Sequence, residues 1–117
     1  MDGLVEQGAR WLAAGDAALL RQWAGRHPYY LQLLAHHLVE AHRLGLGTQK
    51  AMDDFQTEAN TRLRELWRVL DERERAELHH AAFGLPSKRR SLRQRGLVTE
   101  EEKPFGEVLT AWIKDQS

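Results

Sequence analysis

Apolar residues recur along this chain at the three- and four-residue spacing of helices that bury one face. Leu4, Gly8, Trp11 and Leu12 mark a first stripe of this kind. Gly15 suits the end of that helix and Asp16 the N-cap of a second, short one through Leu19, Leu20 and Trp23. Gly25 ends it, and Pro28 opens a third helix at the one position where a missing amide proton costs nothing. Leu31, Leu34, Ala35, Leu38 and Ala41 form the third stripe, stopped by Gly45 to Gly47.

Thr48 is the expected cap of a long fourth helix, with Phe55, Ala59, Leu63, Leu66 and Leu70 on one face. It needs about 20 residues, or ~30 Å of rise, and so bridges two halves of the chain. Asp71 followed three positions later by Glu74 is a capping box, which interrupts that helix and starts another lined by Leu78, Ala81 and Ala82. Gly84-Leu85-Pro86 ends it. Beyond that point the periodicity shortens. Ser87 is the expected cap of a short basic helix through Leu92, closed by Gly96. Leu97-Val98-Thr99 and Lys103-Pro104-Phe105 flank the acidic turn Glu100 to Glu102 and predict a small β-hairpin. Val108, Leu109, Trp112 and Ile113 mark a last helix. The fold class is therefore mainly α: a helical subdomain over about 1–47, then a winged helix-turn-helix with a small hairpin over about 48–117.

Composition narrows the chemistry. With 117 residues, one compact domain or two small ones sharing an interface can form. No cysteine is present, which excludes disulfides, thiolate zinc sites and cysteine nucleophiles, and agrees with a reducing cytoplasm. Met1-Asp2-Gly3 lacks the basic start and apolar stretch of a signal peptide. No apolar run approaches the ~20 residues of a membrane-spanning helix. The 17 basic and 17 acidic residues cancel, yet not evenly. Residues 1–58 hold 5 basic and 7 acidic groups, 59–99 hold 10 and 5, and 100–117 hold 2 and 5.

That positive segment contains Lys88, Arg89, Arg90, Arg93 and Arg95. On a recognition helix such residues pair with guanine edges and phosphates, and they equally form a solvated face or a protein-docking surface. Glu100 to Glu102 follow where a wing would approach a phosphate backbone, and would repel it. Of the six histidines, His36 and Glu40 have the i, i+4 spacing for a shared metal, without a third ligand nearby; His42, His79 and His80 add none, so no metal site is expected. Trp11, Trp23, Trp67 and Trp112 sit in register with apolar stripes and are expected in the core. Asp71 and Glu74 are expected to engage backbone amides rather than act as an acid–base pair.

Two stretches carry a family likeness. Gly25-Arg26-His27-Pro28-Tyr29-Tyr30-Leu31-Gln32-Leu33-Leu34 resembles the glycine-x-histidine-proline motif that opens a helix in the lid of STAND-type ATPases, a branch of the AAA+ P-loop NTPases. Leu66-Trp67 through Leu70-Asp71-Glu72-Arg73-Glu74, with Leu92, Arg95-Gly96-Leu97-Val98 and Phe105, resembles the winged helix that follows that lid. The resemblance implies that Gly25, Arg26, His27 and Pro28 lie near a nucleotide, with Arg26 standing where the family usually has a second glycine. No G-x-x-x-x-G-K-[ST] phosphate loop occurs, so the chain by itself is not expected to hydrolyse ATP. ATP or ADP with Mg²⁺ enters only with an upstream P-loop core. The expected role is then a non-catalytic regulatory module, in which the helix from 48 to 70 carries lid movements to the winged helix. The alternatives are a freestanding winged-helix DNA-binding protein using 88–95, and an adaptor whose helices bind a partner.

Overall fold

A computed structural model describes residues 15–85, 87 and 89–116. The stripe expected from Leu4 to Leu12, Trp11 included, lies outside them, as does Lys88. Six helices follow in order: α1 (Asp16–Ala24), α2 (Pro28–Arg43), α3 (Thr48–Val69), α4 (Glu72–Ala82), α5 (Arg90–Gln94) and α6 (Glu107–Asp115). The mainly α class holds.

Helices α2 and α3 form an antiparallel hairpin with a short turn. Their apolar stripes meet: Tyr30, Leu34, Leu38 and Ala41 from α2 bury against Ala51, Phe55, Ala59 and Leu63 from α3. Each fully buried leucine or phenylalanine among them contributes about 1.5–3 kcal/mol over exposure. Leu31 and Leu66 are partly buried at the margins of the same stripe. The cluster continues without a break into Leu78, Leu92, Leu97, Phe105, Val108, Leu109 and Trp112, so the first and second halves of the chain share one core. Helix α6 lies across α1, α3 and α4 and joins them. Trp112 packs edge-to-face on Trp67 at 5.6 Å, and Trp23 is partly buried against the same core.

The α3–α4 junction shows how local sequence sets a bend. Leu70 takes an extended backbone (φ −78°, ψ 144°), ending α3. Asp71 then accepts from the Glu74 amide at 2.7 Å, while Glu74 Oε1 accepts from the Asp71 amide at 3.1 Å, completing the capping box. The orphan carbonyls at the end of α3 are met from the other side. Arg75 donates through Nε to the Trp67 carbonyl (2.9 Å) and through a terminal nitrogen to that of Arg68 (3.1 Å).

Three local expectations change. Asp16 is not a cap. It is the first residue of α1, almost fully buried, and its carboxylate takes a 2.8 Å hydrogen bond from His42 near the end of α2. Thr48 likewise begins α3 behind an N-cap Gly47. The expected β-hairpin is replaced by a turn: among the described residues no strand forms, and a single antiparallel bridge pairs Val98 with Pro104. Backbone bonds from the Phe105 amide to the Leu97 carbonyl (3.0 Å) and from the Thr99 amide to the Lys103 carbonyl (2.7 Å) hold it. The ladder stops there because the Leu97 amide is given to the Leu92 carbonyl at the end of α5 (3.0 Å) and the Thr99 carbonyl takes the Glu102 amide (2.9 Å). Glu102 sits in left-handed backbone (φ 64°), which closes the turn tightly.

Candidate functional site

The two sets of residues singled out from the sequence, 25–28 and 89–95, lie far apart in the chain and meet in space. A cavity of about 390 Å³ is lined by Arg26, His27 and Pro28 from the α1–α2 corner, and by Arg93, Gln94, Arg95 and Gly96 from α5 and its end. Val98, Thr99 and Phe105 of the bridged turn complete its wall. Two further cavities flank it. One of about 490 Å³ adds Arg90 and Glu100, and one of about 480 Å³ adds Arg21, Gly25, Glu100 and Glu101. Thr99 borders all three, so they form one groove.

Gly25 positions the corner. Its backbone (φ 60°, ψ −129°) lies where only glycine is comfortable, and a Cβ there would run into the carbonyl oxygen of Phe105. Gly106 answers from the opposite strand of chain: a Cβ on it would sit 2.5 Å from the Trp23 carbonyl oxygen. Two glycines thus let the end of α1 press backbone to backbone on the start of α6. The glycine of the sequence motif serves this contact.

His27 is the N-cap residue of α2 and makes no side-chain capping bond. Its ring packs on both Tyr30 (centroids 4.8 Å) and Phe105 (4.7 Å), which stack on each other at 5.2 Å, so the three rings form one cluster. The Nδ1 atom is buried without a hydrogen-bond partner. Burial holds the imidazole below its ordinary pKa of 6.5, and the Arg62 guanidinium acts in the same direction. Arg62 reaches across from α3 and lies 4.6 Å over the ring of Tyr29. His27 is therefore a neutral aromatic wedge between the start of α2 and the bridged turn.

The arginines differ in how they are held. Arg95 donates through Nε to Glu74 at 3.0 Å, and Glu74 is buried. That carboxyl stays below the usual range, chiefly because it accepts the Asp71 amide, then through Arg95 and Ser91. Arg26, Arg90 and Arg93 are exposed, and none enters an ion pair among the described residues. Arg89 caps the start of α5 and is half-buried, with its Nε lacking a partner. Ser87, expected as the cap of that helix, is instead fully buried with its hydroxyl unpartnered.

Elsewhere several polar side chains pair off. His37 meets Glu58 at 3.1 Å, Glu40 takes Arg43, and His42 takes Asp16. Among the described residues no group of three or more His, Cys, Asp or Glu is placed to hold a metal ion. No described helix is long and apolar enough to cross a membrane. Arg21, Arg62 and Thr99 belong to the neighbourhood of the groove and carry no signal in the sequence, since nothing local ties α1, α3 and the turn together. No known protein family, curated protein or solved structure matches the chain.

Proposed function

We propose that the chain is a non-catalytic regulatory module that works against a nucleotide-binding ATPase core, as its resemblance to the lid and winged helix of STAND-type ATPases implies. The observation that supports this reading is the shared groove: Arg26, His27 and Pro28 border the same cavity as Arg93 and Arg95. A core that sets a nucleotide against 25–28 thereby also touches α5. Because Gly25 and His27 rest directly on Phe105 and Gly106, a displacement passes to the bridged turn by contact. The route along α3 is longer and is not needed. Coupling of this kind requires two arrangements of the module, one favoured by each nucleotide state. The chain brings no phosphate loop, so hydrolysis belongs to the core, in the cytoplasm.

Binding of DNA through 88–95 is the second reading, favoured by the lack of ion pairs at Arg90 and Arg93 among the described residues. Two features weigh against it. Helix α5 has 5 residues, only ~7.5 Å of rise, little for a recognition helix. Glu100 also borders the groove on both flanks.

The test is made on the natural-length protein, isolated from its own cells with an antibody to this segment. A species much heavier than 13.5 kDa that retains ADP, and releases it several-fold faster after Arg26→Ala or Pro28→Ala, is the expected result. A 13.5 kDa species that retains no nucleotide would retire the ATPase reading.

A further inference from the structure

We propose that the central cavity of the groove binds one phosphate-sized dianion, and that its flanks turn away an extended polyanion. The site is the one invoked above, but the inference takes only its location from that reading and needs no ATPase core.

The distribution of charge carries it. Arg26, Arg93 and Arg95 line the central cavity, and no carboxylate does. Arg26 and Arg93 are exposed and have no ion-pair partner among the described residues. Arg95 is anchored, its Nε–H held by buried Glu74, so it presents a fixed arm. The two guanidinium groups without an ion pair among the described residues, Arg26 and Arg93, repel each other across one concavity unless an anion sits between them, and guanidinium matches phosphate in a planar, two-bond geometry. The wall behind them is apolar, with His27, Pro28, Val98 and Phe105, and this strengthens a charge pair formed in front of it. His27 is held neutral and does not add a fourth charge.

The flanks set the selectivity. The cavity on one side brings Glu100 beside Arg90 and Arg93, and that on the other brings Glu100 and Glu101 beside Arg21 and Arg26. A single phosphate meets only arginines. A strand of nucleic acid that continued along the groove would set its next phosphates against those glutamates. The same chemistry serves free phosphate and the terminal phosphate of a nucleotide.

The experiment is an amide-resolved NMR titration of the full chain with inorganic phosphate at constant ionic strength, repeated with ADP and with a short DNA duplex. Saturable shifts at Arg26, His27, Arg93 to Gly96 and Thr99 are expected. Arg26→Gln with Arg93→Gln should weaken phosphate at least tenfold without changing the melting curve. Arg26→Gln alone, at an exposed side chain, gives the same direction if Arg93 proves necessary for folding. Glu100→Gln with Glu101→Gln should not weaken phosphate binding and should add retention of the duplex. ADP binding more tightly than phosphate names a nucleotide as the source, and the reverse order names the free ion; both support the site. Shifts that chloride of equal ionic strength reproduces, arginine variants that bind like wild type, or a wild type that prefers the duplex to phosphate would each overturn it. Loss of phosphate binding here leaves the nucleotide reading standing if the natural-length protein still retains ADP.

Discussion

In the α2–α3 hairpin, four side-chain pairs form within it or with a neighbour: His37 with Glu58, Arg43 with Glu40, Lys50 with Asp54, His42 with Asp16. Its turn is open, and a Cβ at Gly45 would meet nothing within 4 Å. Between residues 84 and 106 the balance is reversed. The helix is 5 residues long, and among the described residues Ser87 Oγ and Arg89 Nε are buried without partners and Arg90 and Arg93 enter no ion pair. Gly84, Gly96 and Glu102 all take left-handed backbone there. The hairpin is a scaffold whose stability comes from repeated apolar contact. The later segment is held by a few specific contacts and leaves polar capacity unused, which is how binding surfaces on rigid supports are built. The contrast places the candidate chemistry at the seam between the two regions.

Glycine substitutions break the comparison most sharply. Gly25→Ala is expected to cost more than about 4 kcal/mol and to abolish the cooperative melt followed by circular dichroism, because positive φ and a backbone collision combine. Gly45→Ala has the same sign of φ (73°) but open space, and should cost only about 1–2 kcal/mol. Equal melting temperatures for the two variants would show that the α1–α6 contact does not form.

Glu74→Gln ranks next for the second region. It keeps the shape of the capping box but removes the charge that Arg95 meets, for an expected loss of about 1–2 kcal/mol. Because the folded carboxyl titrates below its ordinary 4.5, its contribution is present above that value and is lost as pH falls through the lower, folded value. Denaturant midpoints measured down the acid range should therefore fall less steeply for Glu74→Gln than for wild type. Parallel curves would remove the buried Glu74 from the account of the α4 cap.

His27 gives the smallest effect, with an unusual sign for histidine. Its folded pKa is lowered, so the unfolded chain takes up a proton first as pH drops below 6.5. Stability is full above that value and declines below it, until the folded form also protonates. His27→Phe retains the ring against Tyr30 and Phe105 and should flatten this decline in midpoints taken between pH 7 and 5. A variant with an unchanged slope would mean that the imidazole is solvated.

What could be read from the chain divides along the range of the interactions. The capping box of Asp71 and Glu74, the proline at the start of α2 and the stripes of α2 and α3 depend on neighbours within a turn, and each was legible. Asp16 was misjudged because its partner, His42, is 26 positions away, and a buried hydrogen bond there outweighs a cap. The strands around Glu100 to Glu102 failed for a local reason: the Leu97 amide closes the end of α5 on Leu92 and the Glu102 amide closes the turn on Thr99, which leaves a single bridge between runs only three residues long. Gly25 and Pro28 could be picked out as a motif, but the reason for Gly25, its contact with Phe105 and Gly106, is invisible without the fold. For the same reason the meeting of Arg26 with Arg93 in one groove could not be foreseen, since spacing in sequence says nothing about segments brought together by the packing of His27 on Phe105 and Gly96.

The most direct check is a set of proton–proton nuclear Overhauser contacts from the His27 ring in the free chain. Cross-peaks to the ring of Phe105 and to the Hα protons of Gly96 are expected, since a Cβ at Gly96 would lie 3.9 Å from His27 Cδ2. A ring of His27 that shows contacts to Tyr30 alone would mean that 25–28 and the basic segment do not share a groove.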